Sequence, residues 1–249
     1  MDRKLETIQA KIPGGSYSIY CGNSILSDVE LEAFKAEQIA FIISNNVYSL
    51  YKDKIDSFIS RVNEFNNYES KLLFMDDLEE NKSYDYAKSF LEDLITFGFS
   101  RKSLLVGIGG GVVGDFTGFL GALFMRGIAI IHVPTTLLAM VDSSIGGKVA
   151  VNLSLGKNIV GAFHQPKAVI TDTVFLETLD GNEYKNGLAE ALKHGCIGEE
   201  ETMKLFTENN LDSIKDTDTI THLVKKSIAF KVSVVEQDEK ESGLRAILN

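Results

Sequence analysis

The stretch Ser103–Gly127, SLLVGIGGGVVGDFTGFLGALFMRG, limits the fold more than any other part of the chain. Leu104 to Ile108 is an unbroken apolar run of the kind that forms a strand buried on both faces of a parallel sheet. It breaks into Gly109, Gly110, Gly111 and Gly114 before a second apolar stretch, which predicts strand, glycine turn and helix in that order. Glycine lets backbone N–H groups approach a guest closely, and the following helix adds its positive end, so a diphosphate suits such a turn. Gly109 to Gly114 also satisfies G-x-G-x-x-G. A second reading stays open on this pattern alone, a helix packed tightly on a sheet with no ligand. Two features set it apart from an ordinary dinucleotide site. It is not in the first strand–helix unit, and no acid stands near the ribose-binding position ~20 residues on, Asp115 being the nearest.

The same alternation precedes it. Ile8 to Cys21 holds two short runs around Pro13-Gly14-Gly15, which suits a hairpin. Ile39 to Ile43 reads as a strand, then Val47, Leu50 and Tyr51 recur at helical spacing. Leu72 to Met75 is another strand, and Ser83 to Phe97 carries Ala87, Phe90, Leu91, Leu94 and Ile95 on one helical face. Ile128 to Val133 ends at Pro134-Thr135-Thr136. After Ile145 the chain reads as glycine-, lysine- and asparagine-rich loop, with a last short strand at Ala168 to Thr171. From Leu179 onward the pattern is wholly helical. The expected class is α/β: a nucleotide-binding domain with a parallel sheet over residues 1–180, joined to a helical metal- and substrate-binding domain over 181–249, without a long linker.

A net charge of −10 and a pI near 5.0 argue against nucleic acid or an anionic membrane as partner, so any anion site must be local. Two cysteines, Cys21 and Cys196, supply neither a disulfide framework nor a zinc knuckle. The opening MDRKLETIQAKIPGG has no apolar signal core, and cytoplasm is the expected compartment.

Several polar groups could carry chemistry. Glu190, Lys193 and His194 fall at offsets of three and four on one helix face, where Glu190 and His194 could ligate a metal or form an exposed ion pair. Glu241, Arg245 and Asn249 recur every fourth residue, so a continuous helix would align them in one polar stripe. Lys148, Lys157 and Asn158 are flanked by glycines and offer the charge and amide donor that a phosphate needs. His132 reads as a satisfied core residue, and no nucleophilic triad order appears.

Taken together, GGGVVGDFTGF from Gly109, FMRG from Phe124, PTTLLAMVDSSIGGKVAVN from Pro134, GKNIVGAFHQP from Gly156, NGLAEALKHG from Asn186 and ESGLRAILN from Glu241 resemble the 3-dehydroquinate synthases, sugar phosphate cyclases of the shikimate pathway. The resemblance implies an active site between the two domains, NAD as cofactor, and zinc or cobalt as catalytic metal. It makes Glu190 a metal ligand. Asp142, Lys148, Asn158, Lys193, Lys231, Glu241, Arg245 and Asn249 become candidates for the substrate pocket, with Arg126 and Lys157 for phosphate and active-site organisation. Gly110, Gly111, Val112, Asp115, Thr135, Thr136 and Thr178 match NAD positions, as do Lys148 and Lys157. Glu79 and Lys82 fit a G-E-x-x-K pattern in which Leu78 replaces the glycine, and Ser44 or Asn45 stands where the family is often acidic.

The implied reaction converts 3-deoxy-D-arabino-heptulosonate 7-phosphate to 3-dehydroquinate and phosphate. A ring hydroxyl is oxidised by NAD, phosphate is eliminated, the ketone is reduced again, and ring opening precedes an aldol closure. Arg245 would meet the substrate carboxylate, which a cyclase acting on a neutral sugar would not need. Rival readings are another sugar phosphate cyclase, a metal-dependent polyol dehydrogenase, and a non-catalytic NAD-binding fragment. In the resembling family the R-x-x-L-N segment continues into a glycine–histidine motif with a second metal ligand and a later third one, whereas this sequence stops at Asn249 and none of its four histidines, His194 included, matches those positions, so the resemblance leaves a three-ligand zinc site incomplete. The expectation is therefore a shortened chain, inactive as it stands, with apolar helix faces exposed between Leu205 and Leu248. A homodimer is also implied.

Overall fold

A computed structural model of the protein describes residues 5–249, so the first four residues of the opening stretch lie outside it. The chain forms β1 (Glu6–Ile12), β2 (Gly15–Gly22), β3 (Ile39–Ser44), α1 (Asn45–Asn66), β4 (Lys71–Met75), α2 (Tyr84–Thr96), β5 (Leu104–Gly109), α3 (Gly111–Leu123) and β6 (Ala129–Pro134). There follow β7 (Lys148–Leu153), β8 (Gly156–Phe163), β9 (Ala168–Asp172), α4 (Gly181–Ile197), α5 (Glu200–Glu208), α6 (Leu211–Ile214) and α7 (Thr217–Gln237).

Seven strands make one sheet in the order β1-β2-β9-β6-β5-β3-β4, parallel except for the β1–β2 hairpin. Alternation across β3 shows why both faces must be covered. Ile39, Phe41 and Ile43 pack with Ile55, Phe58 and Val62 of α1, while Ala40 and Ile42 pack with Phe90 of α2 and Phe116 of α3. The helices after β9 close over the α1 side, where Leu188, Ala191, Leu223, Val224 and Ile228 join the same core. Between β3 and β5 the connections diverge, α1 to one face and α3 to the other, which opens a crevice at the carboxyl ends of the strands. Ser44 caps α1 by accepting from the Val47 N–H at 3.3 Å, and Ser83 caps α2 by accepting from the Tyr86 N–H at 3.3 Å.

Three expectations change. Residues 148–163, read as loop, form the antiparallel hairpin β7–β8, with Val149 and Val151 buried. Its two inward valines are too few for the alternation to stand out among lysines and asparagines. Ile95 is 64% exposed, past the edge of the stripe that buries Ala87, Phe90 and Leu94. The stripe of Glu241, Arg245 and Asn249 does not form, because α7 ends at Gln237 and Glu241 has φ +56°. Asp238 stops the helix: its carboxylate accepts from the N–H groups of Ser242, Gly243 and Arg245, turning the chain into a 3-10 segment over Leu244–Leu248. Between Leu205 and Leu248, Leu211, Leu244 and Ile247 are about half exposed, while Leu223, Val224, Ile228 and Leu248 are buried. Among the described residues no helix is long and apolar enough to cross a membrane.

Candidate active site

The crevice holds a cleft of about 640 Å³ walled by the starts of α1 and α3, the turn after β6 and the start of α4. Gly110 and Gly111 open α3, and a Cβ on Gly110 would stand 2.9 Å from Thr136 Cγ2, so side chains here would fill the cradle. Thr135 Oγ1 is buried in this wall without a partner, a donor left for a guest. Lys82, almost wholly buried, reaches Asp115 Oδ2 at 2.9 Å and Glu79 Oε1 at 3.8 Å. Burial raises the Asp115 carboxyl above its ordinary range, with the Lys82 ammonium working against that rise. Thr178 Oγ1 donates to the Tyr51 hydroxyl at 3.0 Å on the opposite wall.

A second cavity, about 430 Å³, adjoins the first and shares Asp115 and Ser143 with it. Asp142, Lys148, Asn158, Lys231 and Arg245 line it. Asp142 lies on a π-helical turn, Ala139–Ser143, and accepts from the buried Lys231 ammonium. Burial lowers the Lys231 pKa, opposed chiefly by Asp142. Lys148 pairs with Glu241, and its own pKa is lowered by burial and by the positive charges of Arg245 and Lys231. Arg245 Nη1 donates to the carbonyls of Gly146, at 2.9 Å, and Glu239, with the guanidinium 5.8 Å from the Phe163 ring centre. That closeness explains Gly146, at φ +90°, where a Cβ would meet the Arg245 guanidinium at 2.4 Å.

Beside this cavity, one oxygen or nitrogen each from Asp142, Glu190 and His194 lie within 4.8 Å of one another, the one such group of metal donors among the described residues. Glu190 Oε1 is 2.7 Å from Lys193 Nζ and 3.4 Å from His194 Nε2. Burial pulls the Glu190 carboxyl up, but His194 and the Lys193 ammonium outweigh it and hold the group at about 2. The expected ion pair is present but is not exposed: His194 is fully enclosed, and Glu190 is largely buried against it and Lys193. The carboxylates of Asp142 and Glu190 and the enclosed imidazole of His194 form a donor set that fits a divalent cation. His132 is likewise corrected, since it is buried but its Nδ1 has no partner.

Of the expected residues, Glu79, Lys82, Gly110, Gly111, Val112, Asp115, Thr135, Thr136 and Thr178 meet at the first cleft. Lys193 donates to the Leu248 carbonyl, and Asn249 to Glu241, so both tie the chain's last turn to this region. Arg126 stands apart, exposed in the turn after α3, and Lys157 is exposed on the outer side of the hairpin, 4.0 Å from Glu79. Asp77 was missed. It follows β4, lines the cleft, and accepts from Ser44 Oγ at 3.0 Å, while Asp76 accepts from Asn45 at 2.7 Å. An acidic pair thus stands beside positions 44 and 45 from the neighbouring strand end, and Asp76-Asp77 directly after a strand was the signal for it.

Family models for 3-dehydroquinate synthase match the chain over residues 72–186, the N-terminal model, and 187–249, the C-terminal one. The 3-dehydroquinate synthase of Shewanella frigidimarina is 41% identical over 249 residues, covering 98% of this chain and 68% of that protein. That of Thermoanaerobacter sp. is 43% identical over 235 residues, covering 94% and 65%. The chain thus spans about two thirds of the length of the curated relatives it matches. Among solved structures, a 2-deoxy-scyllo-inosose synthase superposes with a TM-score of 0.84 at 26% identity, over 98% of this chain and 67% of that one. A 2-epi-5-epi-valiolone synthase from Streptomyces hygroscopicus, with NAD+ and Zn2+ bound, gives 0.83 at 25%, over 93% and 64%. An iron-containing alcohol dehydrogenase, 16% identical with a TM-score of 0.69, shares the fold alone.

Proposed function

The chain belongs to the 3-dehydroquinate synthase family, and from that premise we propose that it acts on 3-deoxy-D-arabino-heptulosonate 7-phosphate, giving 3-dehydroquinate and phosphate. The observation that carries this reading is the pair of adjoining cavities sharing Asp115 and Ser143, one with a glycine cradle and the other lined by three cationic side chains. NAD, a ligand that the valiolone synthase structure contains, would lie in the first, on Gly110, Gly111 and the Thr135 hydroxyl. Glu190 would hold a divalent metal, with His194 and Asp142 within reach. Bound there, the nucleotide and the metal would supply hydride exchange with the substrate and polarisation of the hydroxyl being oxidised.

The chain's own residues do the rest. Lys148, Lys231 and Arg245 supply positive charge for the substrate's carboxylate and phosphate, and burial strengthens those interactions. Lys82 fixes Asp115 between the two cavities. Arg126, Lys157, Lys193, Glu241 and Asn249 remain part of this proposal as outer residues of the site. So do the division into residues 1–180 and 181–249, a homodimer and a cytoplasmic location.

The test is NAD binding together with phosphate release from 3-deoxy-D-arabino-heptulosonate 7-phosphate, with NAD and zinc present and each omitted in turn. Release that requires both is the result this reading calls for, and it would overturn the expectation of an inactive chain. Binding without release would withdraw catalysis by this chain and keep the nucleotide cleft. Absence of NAD binding would sink the reading as a whole.

A further inference from the structure

Asn152 lies on β7 where the register between β7 and β8 shifts, between Val151 and Leu153. Such an irregularity frees a side chain from the ladder and re-aims it. Its backbone N–H donates to the Lys82 carbonyl at 2.7 Å, and Nδ2 donates to Glu79 Oε1 at 2.7 Å and to the Glu79 carbonyl at 3.4 Å. Its Oδ1 accepts from the Asn158 N–H at 2.9 Å. The amide can face only this way, because a carboxylate and a carbonyl accept and the Asn158 N–H donates. Asn158 has φ +56°, a left-handed conformation that asparagine adopts more readily than other residues with a side chain, and its N–H in that turn is bonded by Asn152.

These bonds join two sites. Glu79 and Lys82 wall the nucleotide cleft, and Asn158 walls the adjoining cavity. We propose that Asn152 is a positioning residue that couples occupation of the nucleotide cleft to occupation of the substrate cavity. A guest that settles the turn carrying Glu79 and Lys82 settles Asn152, and through it the Asn158 backbone and the hairpin that carries Lys148. By reciprocity, substrate in the cavity tightens the nucleotide by the same factor. The proposal rests on the function given above, in which the first cleft takes NAD and the second the sugar phosphate.

The experiment measures the affinity for 3-deoxy-D-arabino-heptulosonate 7-phosphate calorimetrically, in EDTA to hold off turnover, with and without saturating NAD. The wild type is compared with Asn152→Asp, Asn152→Ala and, as a control at the exposed hairpin tip, Leu155→Ala. Asn152→Asp keeps the shape and an acceptor for Asn158 but sets a carboxylate against Glu79. NAD should tighten substrate binding about tenfold in the wild type and in Leu155→Ala, and less than about twofold in both Asn152 variants. Amide exchange supplies a readout that needs no variant: NAD should protect residues 158–163 in the wild type. Coupling that survives in Asn152→Asp, or a hairpin whose exchange NAD leaves unchanged, overturns the proposal. A wild type that does not bind NAD overturns the functional reading, and this one with it.

Discussion

His132 shows how one enclosed side chain can set a pH dependence. Burial, and then the charge of His164, push its pKa from 6.5 down to about 4. The folded state therefore binds fewer protons than the unfolded state between those values, so the contribution is complete above about 6.5 and lost as pH falls through about 4. The shift corresponds to stability on the order of 3 kcal/mol. His132→Gln should flatten that part of the stability curve, as read by urea unfolding from pH 4 to 7; an unchanged slope would rule His132 out as its source. At this scale the sequence named residues that the fold brings together, Lys82, Gly110, Asp115 and Thr136 at one cleft among them. It could not show that His194 is enclosed or that Asp77 lies against Ser44. Both depend on which strand ends lie side by side.

Among elements, the seating of α3 is the most constrained. A Cβ on Gly118 would lie 2.2 Å from Val149 Cγ1, and one on Gly121 would lie 2.2 Å from Ile130 Cγ2, so these glycines let the helix settle onto β7 and β6. Gly118→Ala should cost about 1–3 kcal/mol in overpacking, more than the helix propensity it gains. Gly181→Ala, with nothing within 4 Å of the added carbon, should be neutral or slightly stabilising. Thermal unfolding of the pair checks this, and equal effects would show that α3 has room to move. The glycines of Ser103–Gly127 thus serve both readings left open by the motif, ligand cradle at Gly110 and close packing at Gly118. The β7–β8 hairpin was illegible for the opposite reason: β8 is exposed along most of its length, so its residues carry no hydrophobic alternation.

For the whole molecule, the nucleotide cleft spans the sheet and the helical part, with Gly110 and Thr136 on one side and Asp180 and Glu183 on the other. A ligand bound there favours the folded state by mass action, so NAD at a hundred times its Kd should add about 2.7 kcal/mol to unfolding. Gly110→Ala, which fills the cradle, should remove most of that gain in a thermal-shift titration; an undiminished shift would place the nucleotide elsewhere. The strand–helix alternation, the glycine turn and the family itself were set by the sequence alone, because buried parallel strands leave unbroken apolar runs and the family's motifs recur together in order along the chain. Tertiary structure alone decided that two cavities share Asp115, that Asp142, Glu190 and His194 converge, and that Asn152 bridges two loops. Those contacts join residues distant in the chain, and their geometry follows from how the sheet, the hairpin and the last helices pack.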